Sequence, residues 1–246
     1  MKRIAIYGKG GIGKSTTVSN LATALVQMGY RVFQIGCDPK ADSNIAHFRG
    51  RRIPTVLSSL REGRDRIEDF LFEGDDGVFC IECGGPLPGT GCAGRGIIAA
   101  FDQLAQRGVY ETYRPDVVFY DVLGDVVCGG FALPIRGGYA DDLYVVTSGE
   151  MMSLFAADNI LRALRLNPRP GCAAFRGLIV NRKNIEGEDE VVKKAACEMN
   201  ADVIATLPRD PAIQQAEKEG KTLVEYDRNG PMSALYRALA RKILEG

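Results

Sequence analysis

An excess of charge of either sign is missing from this chain of 246 residues, in which 31 Lys and Arg stand against 31 Asp and Glu. That balance gives no electrostatic case for a nucleic-acid partner. Long hydrophobic runs are missing as well. None reaches the roughly 18 residues that a membrane span requires, so no membrane association is expected. Met1-Lys2-Arg3 leads directly into a short strand-like run, without a signal-peptide pattern. Histidine is nearly absent: His47 is the only one. Cys80 and Cys83 form a C-x-x-C pair, but no second pair and no histidine at ligand spacing accompanies them, which argues against zinc. Repeats, low-complexity tracts and long linkers are also lacking. One soluble cytoplasmic domain spanning residues 1–246 is the expectation.

What is present is an alternation of short apolar runs with helical patterns, the signature of a parallel sheet covered on both faces. The predicted fold is α/β, doubly wound and mostly parallel. Seven runs fit buried strands: residues 4–7, 32–35, 78–81, 117–120, 143–147, 178–180 and 203–205. Val18, Leu21, Ala22, Leu25 and Met28 fall on one face of a first helix, with Gly29 placed as its C-cap. Residues 73–77 and 167–171 read as surface turns.

Gly8-Lys9-Gly10-Gly11-Ile12-Gly13-Lys14-Ser15-Thr16 fits G-x-x-x-x-G-K-[ST] between a strand and an amphipathic helix. Its glycines let backbone N–H groups close around phosphates, and the helix N-terminus adds partial positive charge. Lys14 is expected on the β- and γ-phosphates and the Ser15 hydroxyl on Mg²⁺. Lys9 resembles the signature lysine of the deviant phosphate-loop ATPases. That group includes partitioning and septum-positioning ATPases and the nitrogenase iron proteins. The resemblance implies a homodimer in which the lysine crosses to the partner's nucleotide.

Gly36-Cys37-Asp38-Pro39-Lys40-Ala41-Asp42-Ser43 follows the second strand, at the carboxyl end where open α/β sheets place ligand chemistry. Asp38 and Asp42 fit a first switch loop that holds Mg²⁺ or orients water; an Asx-type turn facing solvent is the alternative. Val117-Val118-Phe119-Tyr120-Asp121 reads as a Walker B strand ending in a magnesium carboxylate, and Asp125 as a second switch sensing the γ-phosphate.

Seven cysteines in an expected reducing compartment point to metal or redox chemistry rather than disulfides, although a buried free cysteine is common in cores. Cys37, Cys80, Cys83, Cys172 and Cys197 are read as structural. Cys92 and Cys128 sit among glycines that free backbone N–H groups to face cluster sulfurs. A [4Fe–4S] cluster takes four thiolates, and a two-fold axis turns two cysteines per chain into four.

The stretches Glu82-Cys83-Gly84-Gly85-Pro86-Leu87-Pro88-Gly89-Thr90-Gly91-Cys92-Ala93-Gly94-Arg95-Gly96 and 118–135 resemble the two cluster segments of the nitrogenase iron protein family. Ser148-Gly149-Glu150-Met151-Met152, Asn181, Pro208-Arg209-Asp210, Gln214 and Glu217 extend the resemblance over almost the whole chain. It implies roles for Asp38 and Asp42 in hydrolysis and magnesium response, and for Lys40 at the nucleotide. Asn181, Pro208 and Asp210 would surround adenine, with Glu217 nearby. Arg95 matches an arginine that docks on the partner and can be ADP-ribosylated.

The resemblance therefore implies ATP-gated transfer of single electrons through a bridging [4Fe–4S] cluster. Ferredoxin or flavodoxin would be the donor and a nitrogenase or nitrogenase-like metalloprotein the acceptor. A partitioning or scaffold-type ATPase without redox chemistry is the alternative. The segment 44–77 departs from typical iron proteins, and a longer C-terminal tail is lacking; both leave the catalytic partner open among nitrogenase, tetrapyrrole and thioether reductases. His47, with Arg49, Arg51 and Arg52 in that segment, is expected on a solvated or partner-docking surface.

Overall fold

The computed structural model describes residues 1–85, 93–124, 137–166 and 171–245. Among them runs one eight-stranded sheet in the order β3-β4-β2-β5-β1-β6-β7-β8. Its strands are β1 (Lys2–Tyr7), β2 (Val32–Gly36), β3 (Leu71–Glu73), β4 (Phe79–Glu82), β5 (Val117–Asp121), β6 (Asp142–Thr147), β7 (Ala174–Asn181) and β8 (Val203–Leu207). All neighbours pair in parallel except β3, which runs antiparallel to β4 at the edge. β2, β5 and β6 are buried at every residue, as strands covered on both faces must be.

Among the described residues the helices are α1 (Lys14–Gln27), α2 (Val56–Arg61), α3 (Ala93–Gln106), α4 (Val109–Tyr113), α5 (Met151–Leu166), α6 (Glu188–Glu198), α7 (Pro211–Lys218), α8 (Leu223–Tyr226) and α9 (Pro231–Glu245). One core, with Phe33, Ile35, Phe101, Tyr120 and Leu161, lies between the sheet and the α2 to α6 side. The other, with Ile4, Leu21, Phe119, Tyr236 and Ile243, joins the opposite face to α1, α7, α8 and α9. Local chemistry sets several helix starts. The Thr55 side chain caps α2 in a capping box, and Asp210 caps α7 with Pro211 in its first turn.

The seven expected strands are present. β3 was not anticipated: three residues at an edge carry too little periodicity to stand out. It begins two positions before the expected 73–77 turn, whose remainder is closed by the Gly77 N–H donating to the Gly74 carbonyl at 2.9 Å. Cys80 and Cys83 point to opposite faces, one in each core, as strand alternation requires. Cys37 is buried like them, but Cys197 is exposed on α6 and is not a core cysteine. His47 contradicts the expectation of a solvated surface. It is 1 % exposed, because its ring is enclosed between β2 and the β3–β4 turn rather than facing out with Arg51 and Arg52.

Candidate nucleotide site

The phosphate loop leaves β1 at the carboxyl edge of the sheet, and parallel pairing brings two other strand ends beside it. Asp121 of β5 is in register with Ile6 of β1 on one side and Gly36 of β2 on the other. The β1–α1 turn therefore delivers the first residue of α1 directly to that carboxylate. Lys14 Nζ lies 2.5 Å from Asp121 Oδ1, with both side chains under a tenth exposed. Ser43 Oγ donates to the other oxygen, Asp121 Oδ2, at 2.6 Å. A lysine and a switch-loop hydroxyl thus share one buried carboxylate, so all three motif segments meet at a single atom pair.

Gly13 caps α1 in the left-handed region at φ 92°, and a Cβ there would lie 2.7 Å from Asn181 Nδ2. Asn181, at the end of β7, donates to the carbonyl of Ile12 at 3.0 Å and so ties the loop to a strand two places away. Beyond the loop opens a cleft of about 890 Å³. Lys9, Lys14, Lys40, Asn181, Pro208 and Asp210 line it, together with Asp38, Asp42 and Glu217. Ser15 reaches both this cleft and a smaller cavity of about 410 Å³ behind it. Cations, a helix N-terminus and glycine amides at one end suit a polyphosphate; the Asn181 and Pro208 end suits a base.

The expected residues within the described part of the chain have defined places. Asp38 is half-buried and accepts from the Lys40 N–H at 2.9 Å, so an Asx turn and a position on the cleft coexist there. Asp210 spends one oxygen on the Ala212 N–H at 2.8 Å, capping α7 while lining the cleft. Glu217 Oε1 sits 3.4 Å from Thr16 Oγ1. Cys92, Cys128 and Asp125 lie outside the described residues, as does the side chain of Arg95. Sequence reasoning missed Arg182, Lys183 and Tyr236, which also line the cleft. Nothing in their spacing marks them; Tyr236 arrives from α9, and burial pushes its hydroxyl well above the usual phenol range.

Next to the site, Glu82 ends β4 almost fully enclosed. Its Oε1 accepts from the Asn44 N–H at 2.9 Å and from Asn44 Nδ2 at 2.8 Å, while Oε2 has no hydrogen-bond partner among the described residues. Burial, reinforced by the negative charges of Asp121 and Asp42 and only partly offset by Asn44, lifts its pKa to about 8. A raised carboxyl holds its proton in the folded state after the unfolded chain has lost it. Its contribution is thus complete below about 4.5 and fades as pH rises towards 8. The wild type is expected to lose roughly 1 kcal/mol of stability per pH unit across that window from this group. Glu82→Gln should abolish most of that slope in urea unfolding at pH 5.5 and 7.5. An unchanged slope would mean Glu82 is ionised when folded.

Among the described residues no three His, Cys, Asp or Glu side chains group as a metal site. Cys37 and Cys80 are fully buried, and burial drives their thiols well up, away from the thiolate form a metal needs. No described helix is long and apolar enough to cross a membrane.

Comparison with known proteins agrees with this geometry. The family described as 4Fe-4S iron sulfur cluster binding proteins, NifH/frxC family, matches residues 2–246. The chain is 48% identical to the nitrogenase iron protein of Methanospirillum hungatei JF-1, over 99% of the chain and 88% of that protein. It is 46% identical to nitrogenase iron protein 2 of Methanothermococcus thermolithotrophicus, over 100% and 89%. For nitrogenase iron protein 2 of Paenibacillus durus the values are 47%, 100% and 84%. Among solved structures, the MinD cell division protein of Aquifex aeolicus superposes with a TM-score of 0.75 at 20% identity, covering 100% of this chain and 98% of that one. A ParA family ATPase from Chlorobium tepidum gives 0.74 at 18%, covering 98% of each. At that identity the two establish the phosphate-loop α/β fold alone. By the full-length family match and the iron-protein relatives, the chain belongs to the 4Fe–4S NifH/frxC family, as an ATP-hydrolysing reductase of nitrogenase iron protein type whose cofactors are a [4Fe–4S] cluster and MgATP.

Proposed function

We propose that this chain is one ATPase domain of a homodimer that passes electrons, one at a time, to a nitrogenase or nitrogenase-like catalytic metalloprotein. Cys92 and Cys128 of each subunit would hold one bridging [4Fe–4S] cluster. When bound, that cluster supplies the low-potential electron; a ferredoxin or flavodoxin would replenish it. The acceptor would dock near Arg95.

The observation that carries the nucleotide half of this reading is the buried Lys14–Asp121 pair. A lysine held on a carboxylate at the mouth of the phosphate loop could exchange partners when MgATP binds: Lys14 would bind the β- and γ-phosphates, and Asp121 and Ser15 would hold Mg²⁺, with Asp42 reaching it directly or through water. The loop from Gly8 to Thr16, with Gly10, Gly11 and Ile12, would wrap the phosphates. Lys9 would reach the partner's nucleotide, and Lys40 this chain's own. Asn181, Pro208, Asp210 and Glu217 would surround the nucleoside. Asp38 and Asp125 would position the attacking water and register γ-phosphate loss, moving the switch that carries Cys128. Of the described cysteines, Cys37 and Cys80 are core thiols and are not candidates for that cluster.

Anaerobic purification with iron and sulfide analysis and dithionite-reduced EPR tests the reading. One [4Fe–4S] signal per dimer, lost in both Cys92→Ser and Cys128→Ser, is expected. An iron-free, EPR-silent ATPase after reconstitution would leave only a nucleotide-dependent dimer switch.

A further inference from the structure

Beneath the first switch loop lies a set of buried polar side chains that the phosphate chemistry does not use. His47, on the turn Ile45–Phe48, places Nδ1 at 2.8 Å from Asp76 Oδ2 and Nε2 at 3.0 Å from Gln34 Oε1. Gln34 Nε2 faces the Ser43 carbonyl at 2.9 Å, Ser43 Oγ at 3.1 Å and Ser19 Oγ at 3.0 Å. Thr23 Oγ1 from α1 reaches Asp76 Oδ2 at 2.5 Å. Ser43 Oγ then meets Asp121, completing a chain of contacts from the β3–β4 turn to the carboxylate beside Lys14.

Hydrogen-bond directions along this chain follow from the groups themselves. The Ser43 carbonyl only accepts, so the Gln34 nitrogen must face it. Gln34 Oε1 is thereby turned to His47, where only an N–H can meet it. On the other side of the ring stands the Asp76 carboxylate, also an acceptor. Nε2 therefore donates to Gln34 Oε1 while Nδ1 is held against Asp76, so the ring orientation is fixed from both sides. Burial raises the Asp76 pKa, but the His47 hydrogen bond and charge, Thr23 and the Val78 N–H outweigh it and hold the carboxyl below the usual range.

We propose that the His47–Asp76 pair positions the Mg²⁺ side of the nucleotide site, by locking the Gln34 amide so that Ser43 is held at carbonyl and hydroxyl and keeps its Oγ on Asp121. A His47 without Asp76 against Nδ1 can turn a lone pair to Gln34. The amide then loses its reason to keep one face, and in the flipped state its oxygen opposes the Ser43 carbonyl. Ser43 is released, and bound Mg²⁺ must order the loop that the relay had fixed beforehand. His47 and Asp76 are positioning residues that touch neither nucleotide nor metal.

The inference rests on Asp121 being a magnesium carboxylate, and its test separates the two. Equilibrium binding of a fluorescent ADP analogue to the full, anaerobically purified chain is measured with Mg²⁺ and with EDTA. Asp76→Asn should weaken Mg-dependent binding about tenfold, the scale of a lost charge-assisted hydrogen bond, and shift binding in EDTA less than twofold. Gln34→Leu should give the same loss, and the double variant no more than either alone. Thr23→Val, which removes one contact to Asp76 and is the milder change, should give a smaller loss confined to Mg²⁺; it serves if Asp76→Asn does not fold. Equal losses with and without Mg²⁺, additive losses in the double variant, or unaltered Mg-dependent binding in folded Asp76→Asn would overturn the relay. A wild type indifferent to Mg²⁺ would sink the reading of Asp121 and the relay with it.

Discussion

Lys14→Ala is expected to reduce ATP turnover by at least about 10²–10³-fold, the range for removing a preorganised charge from a transition state. It should also destabilise the nucleotide-free protein by roughly 3–5 kcal/mol, which is the larger surprise for a residue at a binding site. The cause is Asp121: 2 % exposed, it loses the Lys14 ammonium at 2.5 Å and, among the described residues, keeps the Ser43 hydroxyl. The double variant Lys14→Ala/Asp121→Asn should recover most of the stability, since a neutral amide needs no counter-charge, while turnover stays lost. Urea unfolding alongside a steady-state ATPase assay checks both. If Lys14→Ala unfolds at the wild-type urea concentration, the pair is not an ion pair in the free protein.

Gly124→Ala should be nearly as damaging for a steric reason. A Cβ at Gly124 would stand 1.6 Å from the Gly8 carbonyl oxygen and 2.6 Å from the Gly8 nitrogen. Both are backbone atoms that cannot rotate away. Gly8 holds φ 150°, and a Cβ there would lie 2.4 Å from the Val146 carbonyl oxygen, so the backbone is packed closely on that side as well. The chain must push the exit of β5 away from the phosphate loop, at a cost on the order of 4 kcal/mol or more. The matched control is Gly11→Ala, which meets no atom within 4 Å and suffers only its φ of 74°, a strain of about 1–2 kcal/mol. Thermal unfolding followed by circular dichroism should rank Gly124→Ala well below Gly11→Ala. Equal melting temperatures would show that the close approach does not exist.

The phosphate loop, the Walker B strand and the parallel sheet were legible because each is encoded in consecutive residues. Glycine spacing, an apolar run ending in a carboxylate and the alternation of strand and helix patterns are all local. β3 was not legible, since three residues at an edge carry no usable period. Tyr236 was not legible as part of the cleft, since it comes from α9, more than two hundred positions after the loop it faces. The misplacement of His47 has the same origin. Among arginines, its neighbours in sequence suggest a wet surface, but its neighbours in space are Gln34 and Asp76.

The sequence by itself determined the chemistry available: a loop that can wrap phosphates, carboxylates at strand ends, and two cysteines set in glycine. Tertiary structure alone decided which of these groups share an environment. Parallel register put Asp121 between β1 and β2, so that Lys14 and Ser43 meet on one carboxylate. Enclosure lifted Glu82 to a pKa of about 8 and left His47 both ring nitrogens committed. Charge state and hydrogen-bond direction depend on solvent exclusion and on partners distant in the chain, and neither is a property that a run of residues carries.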